Sequence, residues 1–230
     1  MKKLSLFCAL MVILSIVGCT PVLPPPPFTP AVLTTESLPD LEPATLAAHD
    51  WSTVQGPLLL RLTAQFDIAG RVFPFSAMLR LNPEEGSARC VGLDDSGIKL
   101  FEFTVGRQGV QEHFLLPPLA RFPGLTNMLG GSVKRIYVDP APSPYDTLKS
   151  TAGRYLLTRS RGEGETLFAF GGEPLQLLSK SASGAGENWQ VDYYEYQLVD
   201  GLAWPRGIVL IDDEGGYRLL LWTESVKVVR

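Results

Sequence analysis

Between Leu58 and Leu81 apolar side chains recur at every second position, and this constrains the fold more than any other feature of the chain. Leu58, Leu60, Leu62, Ala64, Phe66 and Ile68 fall on one face of an extended segment. Phe73, Phe75, Ala77, Leu79 and Leu81 do the same in the next. A helix cannot keep such a period on one side, because it turns once in about 3.6 residues, whereas alternate residues of a strand share a face. The turn-like Ala69-Gly70-Arg71 joins the two segments into a hairpin. "NPEEG" supplies the next turn, and "SARCVGL" and "IKLFEFTV" are strands joined by Asp94, Asp95, Ser96 and Gly97.

The alternation stops in "EHFLLPPLARFPGLTNMLGGS", residues 112–132, which carries prolines at 117, 118 and 123. The spacing predicts a short helix from Pro123 to Leu129, ended by Gly130 and Gly131. Strands resume in "VKRIYV", "GRYLLTR", "TLFAF", "PLQLLSK", "WQVDYYEYQLV", "GIVLID", "YRLLLW" and "VKVVR". Upstream, Asp40 as a cap and Pro43 near the first turn predict a short helix over 40–49. The expected fold is mainly β, of the α+β class, with about ten or eleven antiparallel strands. So many strands need closure or a second layer. A strongly curved sheet, or an unclosed barrel with short covering helices, meets that need.

The paired apolar faces then line a concave interior. Its candidate wall is Leu60, Leu62, Phe66, Phe73, Phe75 and Leu79, with Phe101 and Phe103 from the second hairpin. The proline-broken insert offers Leu115, Leu116, Phe122, Leu125, Met128 and Leu129 as a candidate cover, with Phe114 and Leu119 beside them. These are too many apolar side chains for a solvated loop, so they must meet something. They either plug the concave face permanently or form a movable cover, with prolines stiffening a flap and Gly130-Gly131 as its flexible exit.

The N-terminus sets the cellular context. Lys2 and Lys3 precede an apolar run from Leu4 to Val17. That run is shorter than the roughly 20 residues of a bilayer span, and has the layout of a secretory signal. It ends Ile16-Val17-Gly18-Cys19, which resembles the lipobox of bacterial lipoproteins. The resemblance implies alkylation of Cys19 by a diacylglyceryl group, cleavage before Cys19, and acylation of the new N-terminus. Several acyl tails anchor a protein stably where one holds it marginally. Thr20, in place of the aspartate that tends to retain such proteins at the inner membrane, implies the outer membrane. Prolines 21, 24–27 and 30 favour an extended spacer of about 3.1 Å per residue, which would hold the domain clear of the headgroups. The expected division is a signal peptide at 1–18, a lipidated cysteine and linker at 19–39, and one domain at 40–230.

Composition excludes other partners. Loss of Lys2 and Lys3 takes the formal charge from −4 to −6, so no basic face for nucleic acid is expected. Of three cysteines, Cys8 leaves with the signal and Cys19 takes lipid. Cys90 remains as a small core residue without a disulfide partner. His49 and His113 lack carboxylate or thiolate help at ligand spacing, so no metal or cofactor is expected. Neither G-x-S-x-G nor H-E-x-x-H occurs. Asp94 and Asp95 before Ser-Gly read as turn formers rather than catalysts. In "DYYEYQ" strict alternation sets Tyr194 and Tyr196 against Tyr193 and Glu195, as aromatics of a half-buried strand or a surface for stacking sugars.

The order of these parts resembles the LolA/LolB-like lipoprotein carriers and receptors. "PGLTNMLGGSVKRIY" is similar to a lid segment, and "DDSGIKLFEFTV" and "DGLAWPRGIVLIDDEGGYRLLL" to paired strands. The resemblance covers most of 40–230 in pattern. It implies an unclosed barrel whose helices cover an apolar cavity that receives acyl chains. The expectation is a monomeric, non-enzymatic outer-membrane lipoprotein that binds the acyl chains of a lipoprotein or other amphiphile. The alternatives are an assembly lipoprotein with a filled core and an envelope protein partner, and, third, an envelope hydrolase.

Overall fold

The computed structural model describes residues 25–33, 38–151, 153–199 and 201–229. The lipobox and Cys19 lie outside the described residues. The strands are β1 (Leu58–Ile68), β2 (Arg71–Asn82), β3 (Ser87–Leu93), β4 (Lys99–Gly106), β5 (Gly109–Leu115) and β6 (Thr147–Thr151). They continue as β7 (Arg154–Arg161), β8 (Gly164–Gly171), β9 (Gln176–Gly184), β10 (Glu187–Val199), β11 (Leu202–Asp212) and β12 (Tyr217–Val228).

All twelve join one sheet in the order β5-β4-β3-β2-β1-β12-β11-β10-β9-β8-β7-β6. Every pairing is antiparallel. The chain meanders out from β1 to β5, crosses through the helical insert, and meanders back from β6 to β12. Pairing of β12 with β1 fuses the two halves, with Leu60 opposite Val226 and Phe66 opposite Leu219. β5 and β6 remain unpaired edges, so the curved sheet is an unclosed barrel.

The count exceeds the expected ten or eleven for a physical reason. β5 and β6 have no buried residue, so no apolar alternation marks them. β5 also takes Glu112 to Leu115 from the segment expected to be irregular. In the other direction, "VKRIYV" is helical. Helix α1 spans Pro43–Ala47 and helix α2 spans Leu125–Val133, which continues as a π-helical turn over Lys134–Val138. Within "VKRIYV" the buried side chains are Val133, Ile136 and Tyr137, at the i, i+3, i+4 spacing of a helix. Their β-branched and aromatic character favours strand, and the packing overrides it.

Gly130 and Gly131 lie inside α2 rather than ending it. A Cβ on Gly130 would come within 2.6 Å of both methyls of Val110, so this glycine lets α2 approach β5 closely. At the other end Gly124, at φ +76°, supplies the left-handed residue from which α2 starts. α1 begins at Pro43 with Glu42 as its cap residue, and no side chain caps it; Asp40 lies upstream.

One core fills most of the concave side. Leu46 of α1 is fully buried within it, and Trp51, just beyond, packs edge-on to Tyr193 at 5.1 Å and beside Trp204 at 5.4 Å. The Trp51 indole donates to the Tyr137 carbonyl at 3.1 Å, which ties this corner to the π turn. Cys90 is buried in the same core, and burial pushes its thiol up to about 12.

A second, smaller cluster sits on the opposite, outer face. Phe28 packs there on Val209 and Leu220, with its ring 5.5 Å from Tyr194 and 5.3 Å from Trp222. The amide of Thr29 donates to Glu195 Oε1 at 3.0 Å. The proline-rich segment is therefore docked from Phe28 onward rather than a spacer along its whole length. Glu195 itself has the left-handed φ of +53°, and it and Arg206 opposite drop out of the β10–β11 ladder while the register stays the same on either side. This left-handed residue breaks strict alternation. Tyr193 and Tyr196 both turn inward, donating to the carbonyls of Ile136 at 3.0 Å and Leu177 at 2.6 Å, while Tyr194 faces Phe28.

Candidate functional site: an apolar cavity beneath the helical insert

The alternation of β1, β2 and β4 lays aromatic rings on one patch of the concave face. Phe75 and Phe101 meet edge-to-face at 5.2 Å, and Phe101 stacks on Phe103 at 5.7 Å. Phe101 fits because its cross-strand partner is Gly92, where a Cβ would fall 2.2 Å from the ring. The roof is the insert. After β5, Leu116 donates its amide to the Leu100 carbonyl at 2.8 Å, and a 3-10 turn over Pro117–Arg121 leads to Phe122. Phe122 reaches down to Phe73, ring centroids 5.6 Å apart at 71°.

Floor and roof do not fill the space between them. A cavity of about 260 Å³ remains. Phe66, Phe73, Phe75 and Phe101 line its floor, and Leu119, Phe122, Leu125, Met128 and Leu129 its roof. Ile68, Pro74, Leu100 and Asp94 complete the lining. Asp94 is the one titratable group among them. Its carboxylate accepts from the Ser96 hydroxyl at 2.8 Å, the Ile98 amide at 2.8 Å and the Ser96 amide at 2.9 Å. Those bonds, the Ser96 hydroxyl foremost, hold it below the usual aspartate range and make it a turn former.

Of the candidate wall, the structure brings Phe66, Phe73, Phe75 and Phe101 to this cavity. Leu62 and Phe103 lie deeper, around a void of only about 20 Å³. Leu60 and Leu79 are wholly buried in the packed core. Of the candidate cover, Phe122, Leu125, Met128 and Leu129 line the cavity. Leu115 instead pairs with Phe101 in the sheet, and Leu116 is the half-buried exit from it.

Ile68, on the expected apolar face, and Leu119, in the apolar insert, line it too, whereas sequence reasoning missed Pro74 and Leu100. Ile68 and Leu119 carry the same apolar signal as their neighbours. Leu100 does not, because it is the extra residue at a bulge between the Lys99–Leu93 and Phe101–Gly92 pairs. Period-two counting assigns it to the wrong face.

The roof is held at its rear. Ser132 Oγ donates to the Met128 carbonyl at 2.8 Å and lies 3.0 Å from the Tyr217 hydroxyl on β12. Arg135 pairs with the buried Asp212 of β11. At the front of α2, Thr126 donates to Glu112 of β5. The segment between Leu116 and Gly124 has fewer fastenings, and Phe73–Phe122 is its main contact with the floor. Among the described residues no group of His, Cys, Asp and Glu is placed to hold a metal, and no helix is long and apolar enough to cross a membrane. A groove of about 740 Å³ on the outer side is the seam along which residues 29–33 cross β9–β11.

No protein-family model matches the chain, and no curated protein matches it in sequence. Solved structures do resemble it. A LolA superfamily protein from Nitrosomonas europaea superposes with a TM-score of 0.54, at 9% identity over 83% of this chain and 95% of that one. A DUF1329 family protein from Desulfovibrio piger gives a TM-score of 0.50, at 10% identity over 81% and 91%. The fold is LolA-like, with the curved sheet and covering insert that the sequence pattern resembles.

Proposed function

We propose that this chain is a lipid-anchored, non-enzymatic binding protein of the bacterial outer membrane, and that the cavity beneath the insert takes an acyl chain of a lipoprotein or another amphiphile. The observation that carries the reading is the lining, in which the one titratable group is already committed to a turn. Such a space offers nothing to a polar ligand and favours hydrocarbon, at about 0.8 kcal/mol per buried CH₂. At about 260 Å³ it lies just under the roughly 300–1,000 Å³ usual for ligand pockets. It admits part of one chain, and a longer chain enters as Phe122 lifts from Phe73. Lipid on Cys19 would hold the domain at the membrane. Only eight residues lie between Cys19 and the docked Phe28, a reach of at most about 30 Å.

The test is to purify the domain from native envelopes and identify co-purifying lipid by mass spectrometry, alongside binding of a fluorescent fatty acid. Wild type should bind the probe saturably, and Leu125→Asp should stay folded and lose it. A second reading, an assembly lipoprotein with a filled interior and a protein partner, is favoured by the fastening of α2 through Ser132 and Tyr217. It takes over if wild type carries no lipid and binds no probe.

A further inference from the structure

We propose that a cleft on the far side of α2 is a separate site for an oxyanion of the phosphate or carboxylate class. The cleft encloses about 420 Å³ between the end of α2, the π turn and the tips of β7–β10. Lys134, Arg135, Arg159, Arg161 and Trp189 line it.

Donor accounting gives the site its sign. A guanidinium has five N–H donors. Arg159 commits three of them, two to Asp146 and one to the Ala141 carbonyl, which fixes the group and leaves its other donors over. Arg135 is fixed by Asp212 and lies over the Trp189 ring at 5.4 Å, again with donors remaining. Lys134 has only a loose partner, Asp139 at 3.4 Å, and Arg161 makes no ion pair among the described residues. Trp189 is 2% exposed, yet its indole N–H finds no acceptor among the described residues. A buried donor without an acceptor is costly, and here it adjoins cations with donors to spare. The carboxylates of the cleft, Asp139, Glu165 and Glu187, belong to exposed residues at its rim. No acceptor reaches the Trp189 N–H among the described residues, and an oxyanion in the cleft supplies one.

The cleft and the apolar cavity open at the same end of the sheet. Trp189 pairs with Asp212, at one side of the β11–β12 turn, and Ile68 pairs with Tyr217, at its other side. The ligand oxyanion therefore has two candidate sources, a free small anion or the head of an acidic amphiphile whose tail enters the cavity. The site itself does not depend on the tail.

The test follows the indole N–H resonances in ¹H–¹⁵N spectra at low salt, with Trp189 assigned through Trp189→Phe. The probes are inorganic phosphate, and dodecyl phosphate below its micelle concentration. Each should shift the Trp189 signal saturably. Arg161→Gln with Lys134→Gln should weaken binding roughly tenfold, through loss of charge-assisted donors. Arg161→Gln alone, at an exposed position, serves if the double variant fails to fold. Dodecyl phosphate binding more tightly, with the gain lost in Leu125→Asp, identifies an amphiphile head; equal binding of both probes identifies a free anion. No saturable shift with either probe, or unchanged affinity in the Arg161 variants, overturns the proposal. Inorganic phosphate has no tail, so its result stands whether or not the cavity binds acyl chains.

Discussion

Gly207 lies directly beneath the ring of Phe28, so close that a Cβ on it would come within 2.4 Å of the ring. This contact closes the outer cluster on Val209 and Leu220. Phe28→Ala should cost about 2–4 kcal/mol, in the lower part of the range for large-to-small changes. Gly207→Ala should expel the same ring. The two effects should be strongly non-additive, since either one alone undoes the contact. Urea titrations of the four proteins in the cycle check this, and additive losses contradict it.

The two neighbouring glycines of α2 should respond oppositely to alanine. An exchange of Gly for Ala in a helix interior normally gains about 1 kcal/mol. A methyl added at Gly131 would have nothing within 4 Å, so Gly131→Ala should show that gain. Gly130→Ala should instead lose about 1–3 kcal/mol, because the methyl meets the stiff, branched side chain of Val110 at 2.6 Å. Thermal denaturation of both variants separates a packing role from a hinge, for which both would stiffen and stabilise the helix.

Lys180 gives the interior a pH dependence. It is 1% exposed, donates to the Pro140 carbonyl at 3.0 Å and lies 5.6 Å from the centre of the Trp51 ring. Burial lowers its pKa from 10.5 to about 8, against the attraction of Asp50 and Asp139. Below about pH 8 both folded and unfolded chains carry the proton, and the whole cost of burying the charge is present. Between about 8 and 10.5 the unfolded chain binds more protons, so stability rises with pH, by up to about 3 kcal/mol over the full window. Burial raises Tyr137 and Tyr193, whose opposite slope begins near pH 10. Stability measured from pH 8 to about 9.5 should therefore climb in wild type and stay flatter in Lys180→Met. Equal slopes in the two proteins contradict the assignment.

Much of this architecture was legible in the sequence, and the misses share a cause. Alternation placed Phe66, Phe73, Phe75 and Phe101 on one face because β1 and β2 bury one side only and β4 keeps its phenylalanines at alternate positions. It had nothing to act on in β5 and β6, which bury no residue. At Leu100 a bulge shifts the alternation and at Glu195 a left-handed residue does, and no propensity marks either. The docking of Phe28 did leave a trace. "GIVLID" and "YRLLLW" are apolar at consecutive positions, the signature of strands covered on both faces. The oxyanion cleft left none, since its donors come from the π turn, β7 and β10, and only the fold assembles them.

The most direct measurement of the central claim is photo-crosslinking with a diazirine-bearing fatty acid, mapped by peptide mass spectrometry. The account expects adducts on the cavity lining, at Phe73, Leu119, Phe122, Leu125 and Met128, and their loss on competition with unlabelled fatty acid. Adducts confined to the outer face around Trp222 and Leu198, or no saturable labelling at all, would contradict it.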